Sequence, residues 1–225
     1  MVVAVVPMKN LASAKSRLAP LLDQVERQAL VEAMLSDVLR ALAAARGLSE
    51  IFVISDGEGL SLDGVSLIIE AKNRGYNEAV ATALADPKVV GADAVLILPG
   101  DLPFVAPVDV DSFIGTNTTR PDGPSVRIAP ARDGDGTNAL LIAPPGLMVT
   151  LFGPRSFQLH KQAAERVAST VEIVAAPGLA FDIDTPQDLL EFCARDCDTA
   201  THAFLRRSGV GERLTRTGHS RVNRR

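Results

Sequence analysis

Residues 1–7 read MVVAVVP, and the reading of this stretch decides the fold. Residues 2–6 form an unbroken apolar run in which four of five side chains are β-branched valines. A strand with one wet face alternates polar and apolar residues, whereas an unbroken run belongs to a strand covered on both faces, as in a parallel sheet. No basic segment precedes the run and Lys9 follows it closely, so it is expected to be neither a signal peptide nor a membrane span.

Working outward, comparable runs recur at 51–55 (IFVIS), 65–69 (VSLII), 94–98 (AVLIL), 125–129, 139–143 and 171–175. Helical spacing fills the intervals. Residues 23–46 repeat apolar side chains every three to four positions, among them Leu30, Met34, Val38 and Leu42, and Gly47 supplies a stop. Further helices are predicted at about 76–85, 156–168 and 186–195. In the last, Thr185 is the N-cap, Pro186 takes the first helical position and Asp188 reaches back to the cap. Strands alternating with helices predict a three-layer α/β/α, Rossmann-like domain with a mainly parallel central sheet over 1–197. After residue 198 Arg, Gly, Ser and Thr dominate, and 198–225 reads as an Arg-rich extension that is mobile beyond about 208.

Composition narrows the function classes. With 225 residues and 47% hydrophobic content the chain can bury a core without disulfides or structural metal. Aromatics are 4%, with no Trp and one Tyr, so there is little material for stacking single-stranded nucleic acid. Residues 202–225 hold seven Arg against Glu212 alone, a net +6. The preceding 201 residues, 16 basic and 26 acidic, carry −10, a balance that does not suit a nucleic-acid binder. Cys193 and Cys197, four apart in a helical pattern, read as free structural thiols, and the protein is expected in the cytoplasm.

Five segments could carry chemistry. The loop after the first strand, PMKNLASAKSRL (7–18), sets Lys9, Lys15 and Arg17 at a strand's carboxyl end, the edge where open α/β sheets bind ligands. Three cations there suit a triphosphate; a solvated loop is the plainer alternative. No Gly-rich phosphate-loop or dinucleotide fingerprint occurs. LPGDLPF (98–104) projects Asp101 from a rigid turn into the same cleft, as a Mg²⁺ ligand or as a turn-forming Asp. In FDIDTP (181–186), alternation places Asp182 and Asp184 on one face, about 6 to 7 Å apart. Either could join Asp101 around a metal, and Asp184 could instead cap the helix that follows. RDGDGTN (132–138) offers Thr137 and Asn138 as neutral donors, or is a simple hairpin turn. FGPRSF (152–157) opens a helix whose Gly153, Arg155 and Ser156 could grip an anion or merely cap it. His160 and His202 have no Ser or Cys constellation around them, which leaves covalent nucleophilic catalysis and zinc unsupported.

Taken together, VPMKNLASAKSRL, GYNEA (75–79), LPGDLP, DGTN, FGPRS and FDIDTP resemble the guanylyltransferases of coenzyme F420 biosynthesis, archaeal CofC and bacterial FbiD, within the GT-A-like nucleotidyltransferase superfamily. The resemblance spans residues 1 to about 195. It implies transfer of GMP from GTP, with release of pyrophosphate, to a phosphorylated three-carbon acid: phosphoenolpyruvate by preference, 3-phospho-D-glycerate or 2-phospho-L-lactate otherwise. By position it implies Mg²⁺ on Asp101, Asp182 and Asp184. It further implies nucleotide contacts from Lys9, Lys15, Arg17 and Asn77, with Lys15, Arg17 and Asp101 catalytic, and acceptor contacts from Thr137, Gly153 and Ser156. The superfamily's GLN base loop reads Gly75-Tyr76-Asn77 here. The resemblance also implies hand-off of the product to the downstream F420 transferase, no nucleic-acid or membrane partner, and leaves a homodimer open. Another GT-A-like sugar or cofactor nucleotidyltransferase, a glycosyltransferase and a non-catalytic nucleotide-binding protein are the competing readings. The first two would more often show a Gly-rich first loop or a DxD on the central strand, and neither is present.

Overall fold

A computed structural model describes residues 1–8, 14–55, 64–70, 74–115, 123–211 and 213. Lys9, and the tail from 214 onward, lie outside the described residues.

The first strand, β1 (Val2–Pro7), is buried along its whole length, as its unbroken apolar run requires. Val2, Ala4 and Val6 enter one core and Val3 and Val5 the opposite one. Both cores are closed by helices. On the first face α1 (Gln24–Ala44) supplies Leu35, Val38 and Leu42, and α4 (Pro107–Ile114) supplies Val110 and Phe113. On the second, α2 (Tyr76–Leu84) supplies Ala79, Val80 and Ala83, and α5 (Ser156–Val167) supplies Ala164.

The sheet has seven strands. They are β1, β2 (Glu50–Ser55), β3 (Ser66–Ile69), β4 (Ala94–Ile97), β5 (Ser125–Pro130), β6 (Thr137–Ala143) and β7 (Thr170–Ile173), in the order β3-β2-β1-β4-β6-β5-β7. β1 pairs in parallel with β2 and β4, β2 with β3 and β5 with β7. β6 alone runs the other way, antiparallel to β4 and β5. The expected three-layer, mainly parallel α/β/α architecture is what the chain adopts.

Asp23 caps α1 in a capping box with Glu26. At the far end α1 stops at Ala44, and Asp111 of α4 accepts from the Arg46 and Gly47 amides, so a carboxylate from the neighbouring helix of the same layer closes this end as much as Gly47 does. The helix predicted at 186–195 appears as α7 (Pro186–Cys193), with Thr185 capping and Asp188 accepting from the Thr185 amide at 2.7 Å. Cys197 therefore lies beyond α7 rather than on it; both cysteines are free. Four short helices go beyond the sequence reading: α3 (Pro87–Val90), α4, α6 (Pro177–Ala180) and α8 (Ala200–Arg207). α8 begins the Arg-rich extension and is docked. Leu205 and Val210 share a third core with Leu18, Leu22, Leu30, Met34, Ile183 and Phe192. Among the described residues, no helix is long and apolar enough to cross a membrane.

Candidate active site

Two parallel strands end side by side at the same sheet edge. β1 delivers Pro7 and Met8; β4 delivers Pro99, Gly100 and Asp101. Between these ends and α1 lies a cavity of about 380 Å³, whose polar lining is Lys15, Ser16, Arg17, Tyr76, Asp101 and Asp184. Its position is the ligand edge expected of an open α/β sheet.

Lys15 is the centre of this lining. Its ammonium lies 2.5 Å from Asp101 Oδ2 and 2.7 Å from Asp184 Oδ1. Burial works against its charge, but Asp101 and then Asp184 more than offset that, holding its pKa well above the ordinary lysine value. Its backbone is left-handed, with φ 53°, and Arg155 at φ 59° is the other non-glycine residue of this kind among those described. Such conformations cost of order 1–3 kcal/mol and cluster where surrounding structure must aim a side chain. Arg17 is exposed and reaches Asp184 at 3.9 Å.

FDIDTP runs alongside the Asp101 turn. The Ile183 amide donates to the Asp101 carbonyl at 3.4 Å, and the Ile183 side chain is buried in the third core, so both flanking carboxylates face away from that core. Asp184 does not cap α7, because Thr185 does; its carboxylate goes to Lys15. Asp182 accepts from Asn138 Nδ2 at 3.3 Å. Burial, then the charges of Asp101 and Asp184, push the Asp182 carboxyl up to about 6. Two carboxylates thus converge on one lysine, and Asp182 lies close enough to both to feel their charge.

The other predicted residues assemble beside this cluster rather than in the cavity lining. RDGDGTN is indeed the β5–β6 hairpin, turned by Asp133, which accepts from the Asp135 and Gly136 amides. It also does more than turn. Asp135 accepts from the Arg155 amide through its carboxylate and from the Phe157 amide through its carbonyl, so two amides at the start of α5 are engaged by protein. Ser156 does not cap α5: its hydroxyl accepts from the Thr137 amide at 2.9 Å, and both residues are buried. Gly153 is exposed, with φ 123°.

Two residues make contacts that motif reading does not show: His160, to which the motifs assign no role, and Asn77, to which they assign only a nucleotide contact. His160 accepts from the Leu151 amide at Nε2 (2.8 Å), which leaves the proton on Nδ1 to be donated to Thr137 Oγ1 at 2.9 Å. Burial lowers its pKa to about 4, so the ring is neutral. The hydroxyl protons of Thr137 and Ser156 are then left to point at other acceptors. Asn77 spends both ends of its amide on the Phe152 backbone, donating to the carbonyl at 2.9 Å and accepting from the amide at 2.8 Å. An Asn at the start of α2 could have signalled such a clamp, but only the fold reveals that Phe152 is its partner.

A mainly parallel sheet with one reversed strand, and a cation-and-carboxylate cleft at its carboxyl edge, define a nucleotidyltransferase of the GT-A-like type. The family described as "Guanylyl transferase CofC like" matches residues 2–225, and the chain belongs to it. The chain is 41% identical over 192 residues to phosphoenolpyruvate guanylyltransferase of Rubrobacter xylanophilus, covering 84% of this chain and 91% of that one. It is 39% identical over 191 residues to the enzyme of the same name in Conexibacter woesei, covering 83% and 84%. A 2-phospho-L-lactate guanylyltransferase from Methanothermobacter thermautotrophicus is 34% identical over 209 residues, covering 91% and 89%. Among solved structures the same fold occurs in a nucleotidyl transferase from Methanothermobacter thermautotrophicus, with TM-score 0.57, 22% identity and 92% and 98% coverage. It occurs also in 4-diphosphocytidyl-2C-methyl-D-erythritol synthase from Anaerococcus prevotii, with TM-score 0.56, 13% identity and 92% and 96% coverage.

Proposed function

We propose that this protein transfers GMP from GTP to phosphoenolpyruvate, releasing pyrophosphate, and that its product feeds the transferase that assembles coenzyme F420. The observation that carries this reading is Lys15 held between Asp101 and Asp184 at the mouth of two parallel strands. Cation and carboxylates meet where a nucleotide's phosphates and their counter-ion must meet. The names of the relatives at 39% and 41% identity favour phosphoenolpyruvate over the alternative acids.

A divalent ion fits these residues. Asp101 Oδ1 is buried without a partner, Asp182 lies close enough to Asp101 and Asp184 to feel their negative charge, and the Lys15 ammonium marks where positive charge is stable. Among the described residues no group of three or more His, Cys, Asp and Glu side chains is close enough together to hold a metal ion by itself. Mg²⁺ keeps few protein carboxylates and takes further oxygens from phosphates and water, so substrate oxygens would have to complete its shell here. Asp101, Asp182 and Asp184 would hold it, and it would neutralise charge on the α-phosphate.

The acceptor phosphate is already an anion near neutral pH, so attack on the α-phosphorus requires no general base. The chain must orient and neutralise instead. Lys15 and Arg17 steady the departing pyrophosphate, with Lys9 on the same loop. Thr137 and Ser156 direct their hydroxyl protons toward the acceptor, next to Gly153. Asn77, placed in the nucleotide site by resemblance, acts by holding the Phe152 backbone.

The test is pyrophosphate release with GTP, Mg²⁺ and each of phosphoenolpyruvate, 3-phospho-D-glycerate and 2-phospho-L-lactate, coupled to the downstream transferase. Asp101→Asn keeps the turn and loses a ligand charge, so turnover should fall at least about a hundredfold while the fold is kept and the melting temperature drops only modestly, because Lys15 retains Asp184. Activity within threefold of wild type would remove Asp101 from the site.

A further inference from the structure

Two polar atoms on residues of the cavity wall are buried with no hydrogen-bond partner: Asp101 Oδ1 and the Tyr76 phenol oxygen. Buried polar groups are almost always paired, and one left open in a native site calls for a missing ligand, ion or water. These two are complementary. Asp101, its other oxygen taken by Lys15, is an acceptor. Burial and then the Asp101 charge keep the phenol protonated, so Tyr76 is a donor. They do not bond to each other. A group that satisfies both must present a donor or a cation to the carboxylate and an acceptor oxygen to the phenol; in a cleft lined by Lys15 and Arg17, a metal-bound phosphate does both.

The phenol is held in place before any ligand arrives. Tyr76 is the first residue of α2, and its ring meets the Phe152 ring edge-on at 4.9 Å and 63°. The Phe152 backbone is in turn clamped by Asn77, the neighbour of Tyr76, and its ring packs on His160 at 4.6 Å. These ring contacts are apolar and use no hydroxyl. A phenylalanine would satisfy them equally, so the oxygen has no structural use in the described contacts.

We propose that Tyr76 is a substrate-contacting residue whose hydroxyl donates a hydrogen bond to a phosphate oxygen of the metal-bound nucleotide. This rests on the nucleotidyl-transfer reading above. It assigns to the second residue of GYNEA a role in holding the polyphosphate rather than the base.

The chain has one tyrosine and no tryptophan, so tyrosine emission reports Tyr76 alone. Mg²⁺ with inorganic tripolyphosphate, which has no competing chromophore, should change that emission saturably in the wild-type protein. By calorimetry, Tyr76→Phe should bind Mg²⁺–tripolyphosphate and GTP about tenfold to hundredfold more weakly, the loss expected for one hydrogen bond to a charged group. Its melting temperature should equal or exceed that of wild type, because an unpaired buried hydroxyl has been removed. Unchanged affinity in the variant, or binding without any change in emission, overturns the proposal. So does weaker binding accompanied by a lower melting temperature, which would make Tyr76 part of the scaffold. Failure of the broader reading looks different: the wild-type protein would show the emission change and bind GTP, yet release no pyrophosphate with any acid.

Discussion

Lys15 shows how one residue can serve two states of a site. Asp101, Asp182 and Asp184 repel one another, and after burial this repulsion is what raises the Asp182 carboxyl. The Lys15 ammonium relieves it from between two of the three. On the reading proposed above, Asp101, Asp182 and Asp184 would hold the metal that accompanies the nucleotide, and the Lys15 ammonium would be free to pair with phosphate. Lys15→Met keeps the stem and removes the charge. In metal-free buffer it should destabilise the protein by about 1–3 kcal/mol, less than for a fully buried pair because Asp184 is half exposed. Added Mg²⁺ should then raise the variant's melting temperature more than the wild type's, since in the variant nothing else neutralises the cluster. Melting curves that Mg²⁺ leaves untouched in both proteins would take the metal out of this cluster.

Among the elements, the inner strands were the most legible. β1, β2 and β4 announce themselves because a covered strand must be apolar throughout, as residues 2–6 and 94–97 show, whereas β3 and β7, at the two sheet edges and partly exposed, show only as short β-branched runs. The four missed helices are four to eight residues long, too short for a helical period to express itself. Three of them do carry a start signal, since Pro87, Pro107 and Pro177 each take the first helical position, and Thr199 caps the fourth. Lys15, Asp101 and Asp184 were legible because each follows a recognisable turn at the sheet's carboxyl edge. Tyr76 and His160 were not, because their meaning depends on Phe152 and Thr137, which only folding brings near. His160 links α5 to β6, and its protonation state is testable. Its folded pKa is about 4 against an ordinary 6.5, so on acidification the unfolded chain takes the proton first. Stability is therefore full above pH 6.5 and is lost as pH falls toward 4, by about 1.4 kcal/mol per pH unit at most for one proton. Asp182, raised to about 6, titrates in the same range with the opposite sign, so the His160 contribution is read as a difference: in urea unfolding, wild type should lose more stability per pH unit on acidification than His160→Gln. Equal slopes in the two would assign the titration to another group.

At the scale of the whole molecule, the opening residues of the Arg-rich extension are tied to the catalytic layer through one buried carboxylate. Asp37 on α1 accepts from the Ala200 amide at 2.7 Å, the Thr201 amide at 2.9 Å and the Thr201 hydroxyl at 2.7 Å, with Arg40 3.7 Å away. Its carboxylate therefore supplements Thr199 in capping α8, and charge at a helix N-terminus is favourable there. α1 also lines the cavity through Val31 and Leu35, and Leu205 and Val210 pack against Leu18 and Leu22 just beyond the Lys15–Arg17 segment. A second tie runs from Arg213 to Glu26 in the first turn of α1. The extension thus braces the element behind the phosphate loop, and we infer that its first turns belong to the folded domain. Asp37→Ala would strand three donors at once, a loss of about 2–4 kcal/mol if α8 stayed docked, and less if it lifted away to reach water. Lifting should expose the connection 194–199 to protease and loosen the Lys15 loop, so GTP KM should rise while kcat changes little. Thermal melting, limited proteolysis and steady-state kinetics on the full chain separate these outcomes. A variant as stable and as protease-resistant as wild type would mean that α8 is held by the Leu205 and Val210 contacts alone.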